Sequence, residues 1–166
     1  MATLISIPIL AFAIMLQSAV FSKITLLQAS ADLVLVTTIS WMIQERVRVV
    51  WQWAIVAGVL VGFVSEISMW VTVLGYLAIA AITSALKRRV WRAPVLALFT
   101  AVFAGTLVLQ VLTYLLLRVL GTALDLLQVF NLIVLPSLLL NLLISLPVQG
   151  VVREVALWFY PEEIET

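Results

Sequence analysis

Apolar residues run along this chain in long blocks, broken by short polar or charged clusters instead of alternating with polar positions inside each block. A helix needs roughly 20 mostly apolar residues to cross about 30 Å of hydrocarbon at about 1.5 Å per residue. The pattern predicts six such helices, at about residues 2–21, 27–43, 49–65, 69–86, 94–117 and 130–152. They form a single polytopic domain over residues 1–166, with 153–166 as a short tail. The second block is the weakest, because its strictly apolar part is short and begins beside Asp32. Pro94 suits a first helical turn, where its missing N–H has no partner in any case. Pro136 and Pro147 interrupt the sixth block and predict a kink there. The first block has no basic segment before it and no clear small-residue cleavage site, so it reads as a retained helix and not a signal peptide.

Composition places these helices in lipid. Of the 166 residues, 65% are hydrophobic and 10% charged, with mean hydropathy +1.27. Ordinary globular domains are about 45–50% apolar and about 25% charged. The expected fold class is therefore an all-α integral membrane protein. The chain has no cysteine and no histidine, which excludes thiolate and imidazole metal sites, disulfides, cysteine nucleophiles and an imidazole base. No cofactor or metal is expected. A net charge of +1 argues neither for nucleic acid nor for an acidic partner, so the placement of the charges carries the information.

With six crossings, Arg46, Arg48, Lys87, Arg88, Arg89, Arg92 and Arg153 share one face, and Lys23 and Arg118 lie opposite. Short cytoplasmic loops retain basic residues, so both termini are expected in the cytoplasm. If the second block did not cross, Lys23 would join the basic face and the N-terminus would lie outside; charge counting leaves six and five crossings open. The arginine and lysine clusters set topology, with anionic lipid headgroups as a second role.

Ala54, Gly58 and Gly62 recur every four residues on the third helix, and Glu66 falls on the same stripe. Small residues at that spacing let another backbone approach closely. The stripe serves packing within the chain or, on the sharper alternative, docks a partner's single transmembrane helix. Asn141 and Gln149 on the last helix, with Gln17, Gln52 and Gln110, are expected to bond between helices as packing glue, not to form a transport path. Asp32, Glu66 and Asp125 map near the outer interface, at helix ends where water can solvate them. Of the tryptophans at 41, 51, 53, 70, 91 and 158, most fall near helix ends, as an interfacial aromatic belt requires.

The chain resembles the bacterial rod shape-determining protein MreD family in its size, its helix count and four short stretches. Ala31, Asp32, Leu33, Val34 and Leu35 resemble the family's entry into the second helix, followed by Trp41, Arg46 and Arg48. Gly58 and Ser65 resemble part of its third-helix pattern, and Tyr76 falls where its fourth helix often carries a tyrosine. Asn141 and Pro147 match the Asn and Pro of its last helix. Ala31 stands where the family usually has Pro, and Gly62 where it usually has Asp.

The resemblance implies a non-enzymatic scaffold subunit of the cell-wall elongation complex in the bacterial inner membrane. Its partners would be MreC, through that protein's transmembrane helix, and indirectly MreB, RodA and the elongation-specific class B penicillin-binding protein. The family is also similar in fold to the substrate-binding membrane subunits of energy-coupling-factor vitamin transporters. Such a subunit is the alternative expectation, although the first helix lacks an Ala-x-x-x-Ala pair: Ala11 is followed by Met15, and Ala13 by Gln17.

Overall fold

The structure, a computed structural model, describes residues 2–19, 25, 26, 29–45, 47, 50–89, 93–123 and 125–159. Among these lie α1 (Ala2–Ala19), a hairpin of β1 (Thr25–Leu26) and β2 (Ala29–Ser30), α2 (Leu33–Met42), α3 (Val50–Val64), α4 (Met69–Arg89), α5 (Pro94–Val119) and α6 (Leu126–Phe159). The chain is mostly helical. The hairpin pairs Thr25 with Ser30 and Leu26 with Ala29.

Among the described residues, three helices are long and apolar enough to cross a membrane: Met69–Arg88, Pro94–Val119 and Leu126–Phe159. Only 33% of the apolar window in each is buried inside the molecule, so most of their apolar surface faces outward. Phe12, Phe63, Trp70 and Leu143 all stand exposed on this exterior.

Two expected boundaries are corrected. The second helix was expected over 27–43, yet α2 is 10 residues long, about 15 Å, or half a hydrocarbon thickness. Asp32 stops it: its Oδ1 accepts the Leu35 N–H at 2.9 Å, an N-cap that ends helical backbone there, and the preceding residues pair as the hairpin. The last helix was expected to end at 152 with a tail from 153; instead Arg153 to Phe159 continue α6.

Pro136 and Pro147 do not end α6 either. Before Pro136 the helix widens into a π turn over Phe130–Val134, where the Leu135 N–H donates to the Phe130 carbonyl five residues back. A π turn of this kind redistributes carbonyls around a residue that has no N–H to give.

α2 is the centre of the fold. Every residue from Leu33 to Met42 is buried, because α1, α3, α4, α5 and α6 surround it. A helix that is apolar all round is one that is wrapped all round. Trp41 stacks on Trp53 of α3 with ring centroids 4.4 Å apart and planes 24° from parallel. That corrects the aromatic-belt expectation for these two tryptophans, each 1% exposed, whereas Trp51, Trp70 and Trp158 stand exposed.

α3 and α4 pack closely, joined by the turn at 65–68. A methyl group on Gly58 would lie 2.7 Å from the Val73 Cα, and one on Gly62 would lie 2.9 Å from the Met69 Cα. Thr72 Oγ1 donates to the Gly58 carbonyl at 2.9 Å, a bond that needs the same close approach.

Candidate functional site

Two features stand out, one polar and one apolar. The polar one begins at the N-terminus of α2, whose first N–H groups have no partner inside the helix. The Asp32 N–H donates to Asn141 Oδ1 of α6 at 2.7 Å, and the Val34 N–H donates to Gln17 Oε1 of α1 at 3.0 Å. Asn141 Nδ2 donates to Thr106 Oγ1 of α5 at 3.0 Å, and the Thr106 hydroxyl donates to the Val102 carbonyl. Gln110 Nε2 reaches Ser137 Oγ at 3.2 Å, tying α5 to α6 again. Four helices are thus held by amides that would each be costly in an apolar medium if left unpaired.

Beside this network, where α1 and α3 end and α2 and α4 begin, lies a cavity of about 340 Å³. Gln17, Asp32, Ser65, Thr72, Tyr76 and Gln110 supply polar groups to its wall, and Ile14, Val61, Val64 and Leu109 supply apolar ones. Tyr76 is fully buried, and its hydroxyl finds no hydrogen-bond partner among the described residues. Asp32 is therefore not the fully solvated helix-end carboxylate expected from the sequence. Glu66 and Asp125 do stand exposed, and Asp125 caps α6 by accepting the Leu127 N–H at 3.2 Å.

The apolar feature is a groove of about 820 Å³ between α1 and α6, floored by α2. Phe12 and Leu16 form one wall, Pro147, Val151 and Phe159 the other, and Leu33 and Trp41 lie at its base. Among the described residues lining it, Thr37 is the one with a hydroxyl. It forms because α1 packs on α2 and α3 while α6 packs on α2 and α5, which leaves the α1 and α6 faces apart.

The sequence-selected residues fall into distinct places. Ala54 is fully buried, and Gly58 and Gly62 are covered by α4, so this stripe meets the chain's own fourth helix. Ser65 accepts the Ile67 N–H at 3.1 Å in the turn that follows α3, next to exposed Glu66. Asn141 lies in the polar network and Pro147 in the groove wall.

Lys87 was expected to set topology, with anionic lipid headgroups as a second role. Its Nζ donates to the carbonyls of Met42, Gln44 and Val47, closing the C-terminal end of α2. Arg88 is exposed; the Arg89 side chain, Arg46, Arg48, Arg92 and residues 160–166 lie outside the described residues.

No local pattern marks Trp41 with Trp53, or Lys87 with the α2 carbonyls, because each pair is brought together only by helix packing. Tyr76 and Asp32 were both noted in the sequence, but 44 positions apart nothing joined them. Among the described residues no group of three or more carboxylates is placed to hold a metal ion. No family model, curated protein or solved structure matches the chain. What the fold defines by itself is a mostly helical protein in which, among the described residues, three helices are long and apolar enough to cross a membrane.

Proposed function

We propose that this protein is a membrane-embedded, non-enzymatic scaffold of the MreD type, which holds the transmembrane helix of MreC and helps position peptidoglycan synthesis in the inner membrane. The observation that carries the reading is the groove between α1 and α6. Its walls are almost wholly apolar and run along two helices, the form in which a third helix gains dispersion contacts over several turns. The basic end of α4, with exposed Arg88, faces the cytoplasm in this reading, together with both termini. MreB, RodA and the class B penicillin-binding protein are reached through MreC.

The small-residue stripe on α3, engaged by α4, is not part of the docking face. In this reading the docking role falls to α1 and α6, which the groove between them supports. Photo-crosslinkers at Phe12 and Val151, both exposed, should capture a bitopic partner, whereas one at Phe63 on α3 should not. Equal capture at all three positions, or none at the groove, would refute the assignment.

The alternative, a substrate-binding subunit of a vitamin transporter, is favoured by one observation: the cavity beside Tyr76 has polar and apolar walls and the volume of a small ligand. A vitamin retained through purification, with no bitopic partner crosslinked, would reverse the order.

A further inference from the structure

We infer that the cavity beside Tyr76 is a binding site for a small ligand or lipid headgroup bearing a protonated amine, with Asp32 receiving the amine and the Tyr76 hydroxyl bonding to the polar group next to it. The inference does not rest on the scaffold reading.

Three observations converge. Among the described residues lining the cavity, Asp32 is the one carboxylic acid, and none is lysine or arginine. A carboxylate in an apolar surrounding favours a cation beside it and disfavours an anion. Its described contacts are backbone ones, such as the Leu35 N–H, which keep it in place at the α2 cap without neutralising it. Next, the Tyr76 hydroxyl is buried with no partner among the described residues, although buried hydroxyls are normally satisfied. Tyr76 lines the same cavity as Asp32, so one molecule can sit against both residues. Finally, the space of about 340 Å³ is ample for an amine of a few heavy atoms, and Ile14, Val61, Val64 and Leu109 offer apolar wall to the carbon skeleton or glycerol end attached to it.

Two sources supply this chemistry, the ethanolamine headgroup of a bilayer lipid and a free small amine. Both can be tested on the full chain reconstituted in nanodiscs of phosphatidylglycerol alone, of phosphatidylglycerol with phosphatidylethanolamine, and of phosphatidylglycerol with free ethanolamine. Thermal unfolding and native mass spectrometry provide the readouts. Asp32→Asn keeps the helix cap, since Asn and Asp cap about equally well, and removes only the charge. Tyr76→Phe removes only the unpartnered hydroxyl.

The expected result is retained amine and a raised unfolding temperature in at least one amine-containing arm, weakened about tenfold or more by Asp32→Asn. Stabilisation by phosphatidylethanolamine alone identifies the lipid as the source, and stabilisation by free ethanolamine identifies the soluble amine. Tyr76→Phe should weaken binding while leaving the protein without amine at least as stable as the parent, which separates a ligand contact from a purely structural hydroxyl. Should Asp32→Asn fail to fold, Tyr76→Phe decides. No amine effect in either arm, or an effect unchanged by both substitutions, would overturn the proposal.

Discussion

Gly58→Ala is the substitution whose cost the structure specifies best. The added methyl would sit 2.7 Å from the Val73 Cα, which is backbone and cannot rotate away. Reaching an ordinary separation of about 3.4 Å requires α3 and α4 to move apart by roughly 0.7 Å at that point, which loosens dispersion contacts along the whole pair. The same movement strains the Thr72 Oγ1 bond to the Gly58 carbonyl, now 2.9 Å. Overpacking of this kind costs about 1–3 kcal/mol, and the better helix propensity of alanine returns about 1 kcal/mol, leaving a net loss of about 0–2 kcal/mol.

Gly150 on α6 is the control: a methyl there meets nothing within 4 Å, so Gly150→Ala should stabilise by up to about 1 kcal/mol. Gly75 sharpens the comparison, because its methyl would lie even closer to a neighbour, 2.4 Å, but that neighbour is the Leu109 Cδ2, the end of a flexible side chain. Thermal unfolding of the three variants in one detergent should rank Gly150→Ala above Gly75→Ala and Gly75→Ala above Gly58→Ala. If Gly58→Ala were as stable as Gly150→Ala, the α3 stripe would not be engaged by α4 and the packing argument would fail.

Other outcomes follow from the polar contacts. A double-mutant cycle of Asn141→Ala with Thr106→Val should give a coupling energy of about 0.6–1.7 kcal/mol, and zero coupling would mean that the 3.0 Å bond contributes nothing. Asp32→Ala should cost about 1 kcal/mol of stability through the lost cap, while Asp32→Asn should cost only a few tenths. Lys87→Met keeps the stem but removes the donor shared by three carbonyls; since Lys87 is only half-buried, a loss of about 1–2 kcal/mol is expected in urea unfolding in detergent. A Lys87→Met protein as stable as the parent would show that water serves those carbonyls equally well.

Much of the helix plan was legible in the sequence. The start of α5 at Pro94, the start of α4 at Met69 and the span of α3 to within a residue are written in where apolar blocks meet proline, polar turns and charge. The short α2 was not. Asp32 was visible as a polar entry to the block, but nothing local showed that it would cap the helix and leave the residues before it to a hairpin. The extension of α6 to Phe159 was missed because the chain from Arg153 onward reads as a tail, whereas a helix can carry its backbone bonds past the point where its side chains become polar. For the candidate site, Asn141, Gln17 and Gln110 were read as interhelical bonding groups, yet their partners are backbone groups and hydroxyls on other helices, invisible until those helices are placed.

The sequence by itself determined that this chain makes apolar helices and roughly where they begin, because block length, proline and charge are local properties that act before any two helices meet. Tertiary structure decided that α2 lies at the centre, that the Gly58 stripe turns inward to α4, that Lys87 closes α2, and that a groove opens between α1 and α6. The helices are apolar on nearly every face, so burial alone prefers no orientation. Which faces meet is settled by steric fit at the glycines and by the pairing of a few polar groups.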